Sequence, residues 1–104
     1  MTVRPPSTIG RASPVETGFD VLGHEVRAEQ AASLGHAGRK VETAIAALRG
    51  FDGPAEERKA LLSAAAWAVH AYFIQRELLG LRNTAQTIRD YGIPGEVLAR
   101  LGAS

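Results

Sequence analysis

The chain has 104 residues, enough for one domain, and its 12 basic and 11 acidic side chains leave a formal net charge of +1. This balance provides no overall field that would attract nucleic acid or an anionic membrane. Cysteine is absent, which excludes disulfides and thiolate chemistry and fits a reducing compartment. The opening MTVRPPSTIG has no apolar run typical of a signal peptide, so we expect a cytoplasmic protein.

The N-terminal part is predicted to be a tail followed by a long helix. Residues 1–16 are rich in Pro, Ser, Thr and Gly, which favours a tail that is either flexible or docked. Residues 17–104 form the predicted single helical domain. Thr17-Gly18-Phe19-Asp20 resembles a capping box, and apolar residues recur at helical spacing after it. We therefore predict a first helix over 18–49.

Glycine and alanine are frequent along this first helix. Gly35 and Gly38 each cost it ~1 kcal/mol relative to Ala, which allows a bend or break near Leu34–Gly38. Small side chains also permit another helix to approach closely. We expect this stripe to face the equally small Ala64–Ala68 surface. The stripe consists of Ala28, Ala31, Ala32, Gly35 and Gly38.

The most apolar stretch of the chain is Ala60–Gln75, ALLSAAAWAVHAYFIQ, which carries no formal charge unless His70 is protonated. Its apolar residues fall in three helical rows, which is typical of a helix buried on more than one side. Asp52-Gly53-Pro54 is a start signal and Gly80 a left-handed cap, so we predict a helix over 54–80. Because a membrane span needs ~20 apolar residues, a core helix is the better interpretation.

Two short helices are predicted after Gly80. Asn83 and Gln86 resemble a capping box that opens a helix ending at Tyr91. Pro94 starts a last helix, whose apolar face is Val97, Leu98 and Leu101. The predicted fold is all-α: an antiparallel hairpin of two long helices, capped by two short C-terminal helices, which completes a bundle by dimerisation.

Candidate catalytic and metal-ligating residues are few. The histidines are His24, His36 and His70, and only Asp20, four residues before His24, has the spacing of a second metal ligand on a helix. We therefore predict no metal and no cofactor. Ser33 and His36 are only helical neighbours, and neither GxSxG nor a phosphate-binding glycine loop is present. We expect no enzyme.

The leading hypothesis is a non-enzymatic interaction or structural module, either a homodimer or a binder of a helical partner. Two long helices expose more apolar surface than two short helices can cover. We interpret His70 as a neutral core residue, with a pH-sensitive interface switch or a pocket base as the alternative. The candidate core and interface residues are Trp67, His70, Tyr72, Phe73 and Ile74.

Two other classes of function stay open. A small nucleic-acid-associated regulator would use the C-terminal pair of short helices, with Arg76, Arg82 and Arg89 as weak anion contacts. The outward face of the last helix, however, carries Glu96 and Arg100 and is poorly suited to reading base edges. A binder of small apolar ligands would instead need a cavity. Its lining would be Phe19, Trp67, Phe73 and Tyr91.

Three segments carry a resemblance to a known family. RPPSTIGR near the N-terminus, with QRELLGL and IRDYGIPGEVLARLG near the C-terminus, resembles a family of roughly hundred-residue uncharacterised bacterial proteins, a domain of unknown function. The similarity covers nearly the whole chain. It implies a small helical unit, and it provides no catalytic or binding motif to transfer to these residues.

Overall fold

The computed structural model describes the backbone of residues 14–102 and the side chains of residues 21–101. The regular secondary structure within this range is all helical, which confirms the predicted fold class. Of the predicted tail at residues 1–16, residues 1–13 lie outside the described residues, and the prediction is wrong for residues 14–16, which are helical. The helices are α1 (Pro14–Gly50), α2 (Ala55–Leu78), α3 (Thr84–Tyr91) and α4 (Gly95–Gly102).

The first helix begins earlier than the sequence indicated. Because α1 starts at Pro14, where the fixed φ of proline suits a first helical turn, Thr17 lies inside the helix and the predicted capping box is wrong. The backbone is also helical without interruption through Leu34–Gly38. The glycines there lower helix propensity, but they do not break α1.

The chain divides into two compact units between Ala32 and Ser33. The described part of the first unit is the N-terminal portion of α1. Its large apolar side chains are about half exposed, and these are Val21, Leu22 and Val26. The second unit contains the remainder of α1 together with α2, α3 and α4. The core and every surface described below lie in this second unit.

Within the second unit, α1 and α2 form the predicted antiparallel hairpin. Near the turn, Ala47 of α1 and Leu61 of α2 line the same hollow. At the other end, the Gln75 side-chain amide donates a hydrogen bond to Ser33 Oγ at 2.9 Å. Later residues of α2 thus meet earlier residues of α1. The core between the two helices consists of Val41, Ile45, Leu48, Ala65, Ala66, Val69 and Tyr72.

The C-terminal end of α2 follows the local chemistry that the sequence predicts, whereas the N-terminal end differs by one residue. Pro54 is the N-cap rather than the predicted first helical residue, because its backbone is extended, with φ of −62° and ψ of 147°. Gly80 adopts the expected left-handed conformation, with φ of 77°. Its N–H donates to the Glu77 carbonyl at 3.0 Å, and the Leu81 N–H donates to the Arg76 carbonyl at 2.9 Å. These two bonds form a Schellman motif, which satisfies carbonyls that the helix leaves free.

At the start of α3, one of the two hydrogen bonds of the predicted capping box is present. Asn83 Oδ1 accepts a hydrogen bond from the Gln86 N–H at 3.2 Å. The Gln86 side chain does not return the bond, because it contacts Arg89 and Asp90 instead. Asn83 is itself left-handed, with φ of 65°. Asparagine tolerates this conformation better than most residues with a side chain.

The loop between α3 and α4 is fixed against the hairpin. Gly92 ends α3 with φ of 62°, and the next residue, Ile93, donates its N–H to the Ile88 carbonyl at 3.0 Å. The Arg49 guanidinium near the end of α1 donates to the Gly92 carbonyl. Ile93 is buried in the core, so this loop covers the end of the hairpin rather than extending from it.

The last helix lies against α2. Val97 is completely buried, as the predicted apolar face of α4 requires. Arg58 of α2 donates two hydrogen bonds to the Glu96 carboxylate, at 2.9 and 2.7 Å. These bonds are the main reason why the pKa of Glu96 is lower than that of a free carboxyl group. Arg100 donates to Ser63 Oγ at 2.6 Å. The polar face of α4 is therefore used to hold α4 on α2.

Candidate interaction surface

A single row of apolar side chains lies on the solvent side of α2, and we call it the outer face of α2. All of its members are exposed, including Trp67 at 72%, Ile74 at 42% and Leu78 at 81%. Successive members are separated by four, three, four, three and four residues, which is the apolar spacing of a helix that packs lengthwise on another helix. The row consists of Ala60, Ala64, Trp67, Ala71, Ile74 and Leu78.

Helical geometry explains why this row is exposed. At ~3.6 residues per turn, Val69 and Tyr72 point away from Trp67, and these two residues form the core that α2 shares with its neighbours. Among the described residues, the elements packed on α2 bury that side and leave the outer face exposed. The prediction that α2 is buried nearly all the way round is therefore wrong for the single chain, because the row containing Trp67, Ile74 and Leu78 meets solvent.

The five candidate core and interface residues separate into two groups. Tyr72 is 6% exposed and Phe73 packs partly buried against the core. Trp67, His70 and Ile74 are exposed. The prediction of a core histidine is thus wrong, because His70 lies at the surface with its ring centroid 6.0 Å from that of Trp67 and tilted by 36°. His70 borders the outer face of α2.

A partly buried hydrogen bond in the second unit joins two tyrosines. The hydroxyl oxygens of Tyr72 and Tyr91 are 3.1 Å apart, and the two rings are 5.3 Å apart with an interplanar angle of 58°. The hydrogen bond with Tyr72, followed by burial, raises the pKa of Tyr91 to about 12. Both effects favour the neutral phenol. Tyr91 is therefore a neutral phenol at neutral pH, and its hydrogen bond with Tyr72 is a structural contact between α2 and α3.

The tyrosine pair also explains why residue 38 of α1 is a glycine. Gly38 is buried, and a Cβ added there would collide with the Tyr91 hydroxyl and lie 3.5 Å from the Tyr72 ring. Gly35 is exposed, and its added Cβ would meet only the end of the Arg39 side chain. The prediction that the stripe faces Ala64–Ala68 is therefore wrong at Gly38, its buried member in the second unit, because Gly38 makes room for Tyr72 and Tyr91.

The three candidate anion contacts are not equivalent. Arg76 donates to the Arg82 carbonyl at 2.7 Å, and its guanidinium lies 5.9 Å from the centre of the Tyr72 ring. Arg76 and Arg82 line a hollow of about 400 Å³ together with the acidic Glu77. Arg89 is outside that lining and donates to a side-chain amide of its own helix. The three arginines therefore do not converge on one anion site.

The histidines considered for catalysis or metal binding are surface residues. His24, His36 and His70 are each exposed, and Ser33 Oγ accepts its hydrogen bond from Gln75 rather than from His36. Among the described residues, no three His, Asp or Glu side chains come together in a way that could hold a metal ion. No helix in the described part of the chain has both the length and the apolar content to cross a bilayer.

The outer face was partly missed by reasoning from the sequence. The sequence puts Trp67, Ile74 and Leu78 on one of the three helical rows of this stretch, but apolar character alone does not add Ala60 and Ala71 to that row. The alternation of four- and three-residue steps along α2 is the signal that joins them into one surface. No sequence signal could have connected Gly38 with Tyr91, because that contact depends on where α3 docks.

The chain matches one protein family. No curated protein and no solved structure matches the chain. The model of one protein family matches residues 1–104, the whole length of the chain. This match confirms the resemblance to a family of unknown function. The chain belongs to the family of unknown function DUF6665.

Proposed function

We propose that the chain is a non-enzymatic helical interaction module that associates with itself through the outer face of α2. The observation that carries the proposal is the unbroken apolar row with Trp67 exposed at its middle. A contiguous apolar strip on the surface of a folded protein commonly marks a contact site. Tryptophan is enriched among the residues that contribute most to binding free energy.

The exposed tryptophan is large enough to dominate association. Trp67 exposes 72% of its surface, and an aromatic residue of its size buries roughly 150–250 Å² when it is covered. Covering the exposed 72% of such a side chain corresponds, at ~25 cal/mol per Å², to roughly 3–4.5 kcal/mol per protomer. Because α2 is already folded against its core, association does not have to nucleate a helix. Two such contributions, together with those of Ile74 and Leu78, oppose a rigid-body cost of association of ~4–15 kcal/mol.

The alternative of a nucleic-acid-associated regulator has less support. On α4, the pair Glu96 and Arg100 is occupied by contacts to α2, and Arg76 donates to a backbone carbonyl. Phosphate binding needs basic side chains that are free to replace counterions. A cytoplasmic module that uses a helix face for protein binding accords better with these contacts and with the near-neutral charge of +1.

Matched substitutions test the proposal. Ala71→Glu places a carboxylate in the middle of the outer face, whereas Ala99→Glu places the same group on α4 at another exposed alanine. In the single chain both should change stability by less than ~0.5 kcal/mol. In analytical ultracentrifugation at tens of micromolar, the wild type and Ala99→Glu should sediment as dimers. Ala71→Glu should associate roughly 100-fold more weakly, since it buries an unpaired charge.

The fluorescence of the single tryptophan provides a second measurement. Trp67 is the only tryptophan, so its emission reports directly on the outer face. On dilution the emission should shift to the longer wavelengths of a water-exposed indole, and at high concentration it should shift to shorter wavelengths. A wild-type protein that sediments as a monomer, with water-like emission at every concentration, would contradict self-association.

A further inference from the structure

We infer that two copies pair antiparallel along the outer face of α2, with the twofold axis passing midway between Trp67 and Ala71. This inference rests on the proposed function and specifies the partner and its register. In this arrangement each large side chain of one copy lies opposite an alanine of the other. The facing pairs are Trp67 with Ala71, Ile74 with Ala64, and Leu78 with Ala60.

The order of side-chain sizes along the row favours the antiparallel direction. The N-terminal end of the row is small, at Ala60 and Ala64, and the C-terminal end is large, at Ile74 and Leu78. Reversing one copy brings the small end of each helix against the large end of the other. Each facing pair then consists of one large side chain and one alanine, so the pairs have similar volumes. Similar volumes allow the two helix axes to keep a uniform separation of ~8–10 Å.

A parallel pair fits the same side chains poorly. It would place Trp67 against its own copy in one layer and Ala71 against its own copy in the next. The two tryptophans would push the helices apart, and the neighbouring alanine layers would then leave voids, although protein interfaces pack nearly as densely as interiors. A parallel pair would also bring together the two acidic helix starts, Glu56 and Glu57.

The centred register is also preferred over its antiparallel neighbours. A shift of one heptad in one direction places Trp67 opposite Leu78 and leaves Ala60 and Ala64 without partners in the row. A shift in the other direction places the charged Glu57 opposite Ile74. The centred register alone pairs all members of the row, and it places no formal charge in the apolar seam.

Charges beside the seam agree with this register. Lys59 and Glu77 lie on the same edge of α2, since they are separated by a whole number of helical turns. Both are exposed, and Lys59 has only a loose contact with Glu56, at 3.7 Å. In the antiparallel pair, the same edges of the two helices adjoin. Lys59 of one copy then lies about 3 Å along the axis from Glu77 of the other, and this opposite-charge contact occurs twice.

Disulfide trapping between single-cysteine variants tests direction and register together. The chain has no cysteine, so Ala60→Cys and Leu78→Cys each introduce one thiol at an exposed position of the outer face. The two full-length variants are mixed in a glutathione redox buffer, and the products are identified by intact mass under non-reducing conditions. Sedimentation of each reduced variant checks that it still dimerises, and circular dichroism checks that it folds.

The expected product is the mixed disulfide between Ala60→Cys and Leu78→Cys, in excess over either homodisulfide. In the antiparallel register the two copies of residue 60 are about 27 Å apart along the axis, whereas a disulfide requires Cα atoms within ~7 Å. A homodisulfide of Ala60→Cys as the main product would overturn the antiparallel direction. A dimer that yields neither product would overturn the register but leave the proposed function intact. Wild-type protein that stays monomeric would overturn both.

Discussion

Replacement of Gly38 by alanine is expected to destabilise the protein, although it adds the best helix former to the interior of α1. Substituting alanine for glycine inside a helix ordinarily stabilises by ~1 kcal/mol. At Gly38, however, the new methyl group would collide with the Tyr91 hydroxyl and contact the Tyr72 ring at 3.5 Å. The site is buried, so one of the packed elements must move.

The magnitude follows from what that movement disrupts. If Tyr91 retreats, its hydrogen bond with Tyr72 is lost, at a net cost of ~0.5–1.5 kcal/mol. The packing of the two rings is weakened as well, and this costs about as much again. If Tyr91 stays, the overpacked core costs ~1–3 kcal/mol. After subtraction of the helix-propensity gain of ~1 kcal/mol, the free energy of unfolding should fall by about 1 kcal/mol, within a range of roughly 0–2 kcal/mol, which lowers the melting temperature by about 4–8 °C at the centre of that range.

Thermal unfolding followed by circular dichroism measures this effect, and the chain offers matched controls. Gly35→Ala lies one turn earlier on α1, where the added methyl group meets only the end of Arg39 at 3.5 Å. It should raise the melting temperature. Tyr91→Phe removes the colliding oxygen, so Gly38→Ala should cost less in that background than in the wild type. The reasoning would be refuted if Gly38→Ala stabilised the protein as much as Gly35→Ala does.

Two further predictions concern the pH dependence of the tyrosine pair and the start of α3. Tyr91 should ionise at about 12, and Tyr72→Phe should lower that pKa toward the ordinary 10.0, as followed by phenolate absorbance. Because the pKa of Tyr91 is higher in the folded chain than in the unfolded chain, the stability linked to its neutral phenol is complete below pH 10 and is lost as the pH rises toward 12. A Tyr91→Phe variant should lose less stability over that range, and an equal loss would contradict the prediction. Asn83→Ala removes the N-cap bond and places alanine at φ of 65°, so it should cost ~2 kcal/mol. Asn83→Gly should cost only a few tenths, and equal melting temperatures for the two variants would argue against the left-handed cap.

The sequence predicted helix ends well because each end depends on a few neighbouring residues. Gly80 and Gly92 are left-handed where a helix needs to stop, and glycine adopts that conformation without steric cost. Asn83 caps α3 as its side chain suggests. The predicted capping box at Thr17 is wrong for an equally local reason. The helix already begins at Pro14, because the fixed φ of proline suits a first helical turn.

Burial around α2 could not be predicted in the same way. Its three apolar rows look alike in sequence, and nothing local distinguishes the row of Val69 from the row of Trp67. Which row is buried depends on where the neighbouring helices lie. The structure places Val69 at 0% exposure and Trp67 at 72%. Alanine adds to the ambiguity, because it favours a helix on either a buried or an exposed side.

Side-chain size connects the internal core of α2 with its outer face. Apart from Tyr72, the fully buried residues of α2 are Ala65, Ala66 and Val69, which are small and let α1 approach closely. The larger Trp67 is exposed, so its apolar surface does not contribute to the stability of the single chain through burial. Covering the outer face with a second copy would supply that contribution through association. On this view the stability of the module increases with its concentration, because the partner binds only the folded chain.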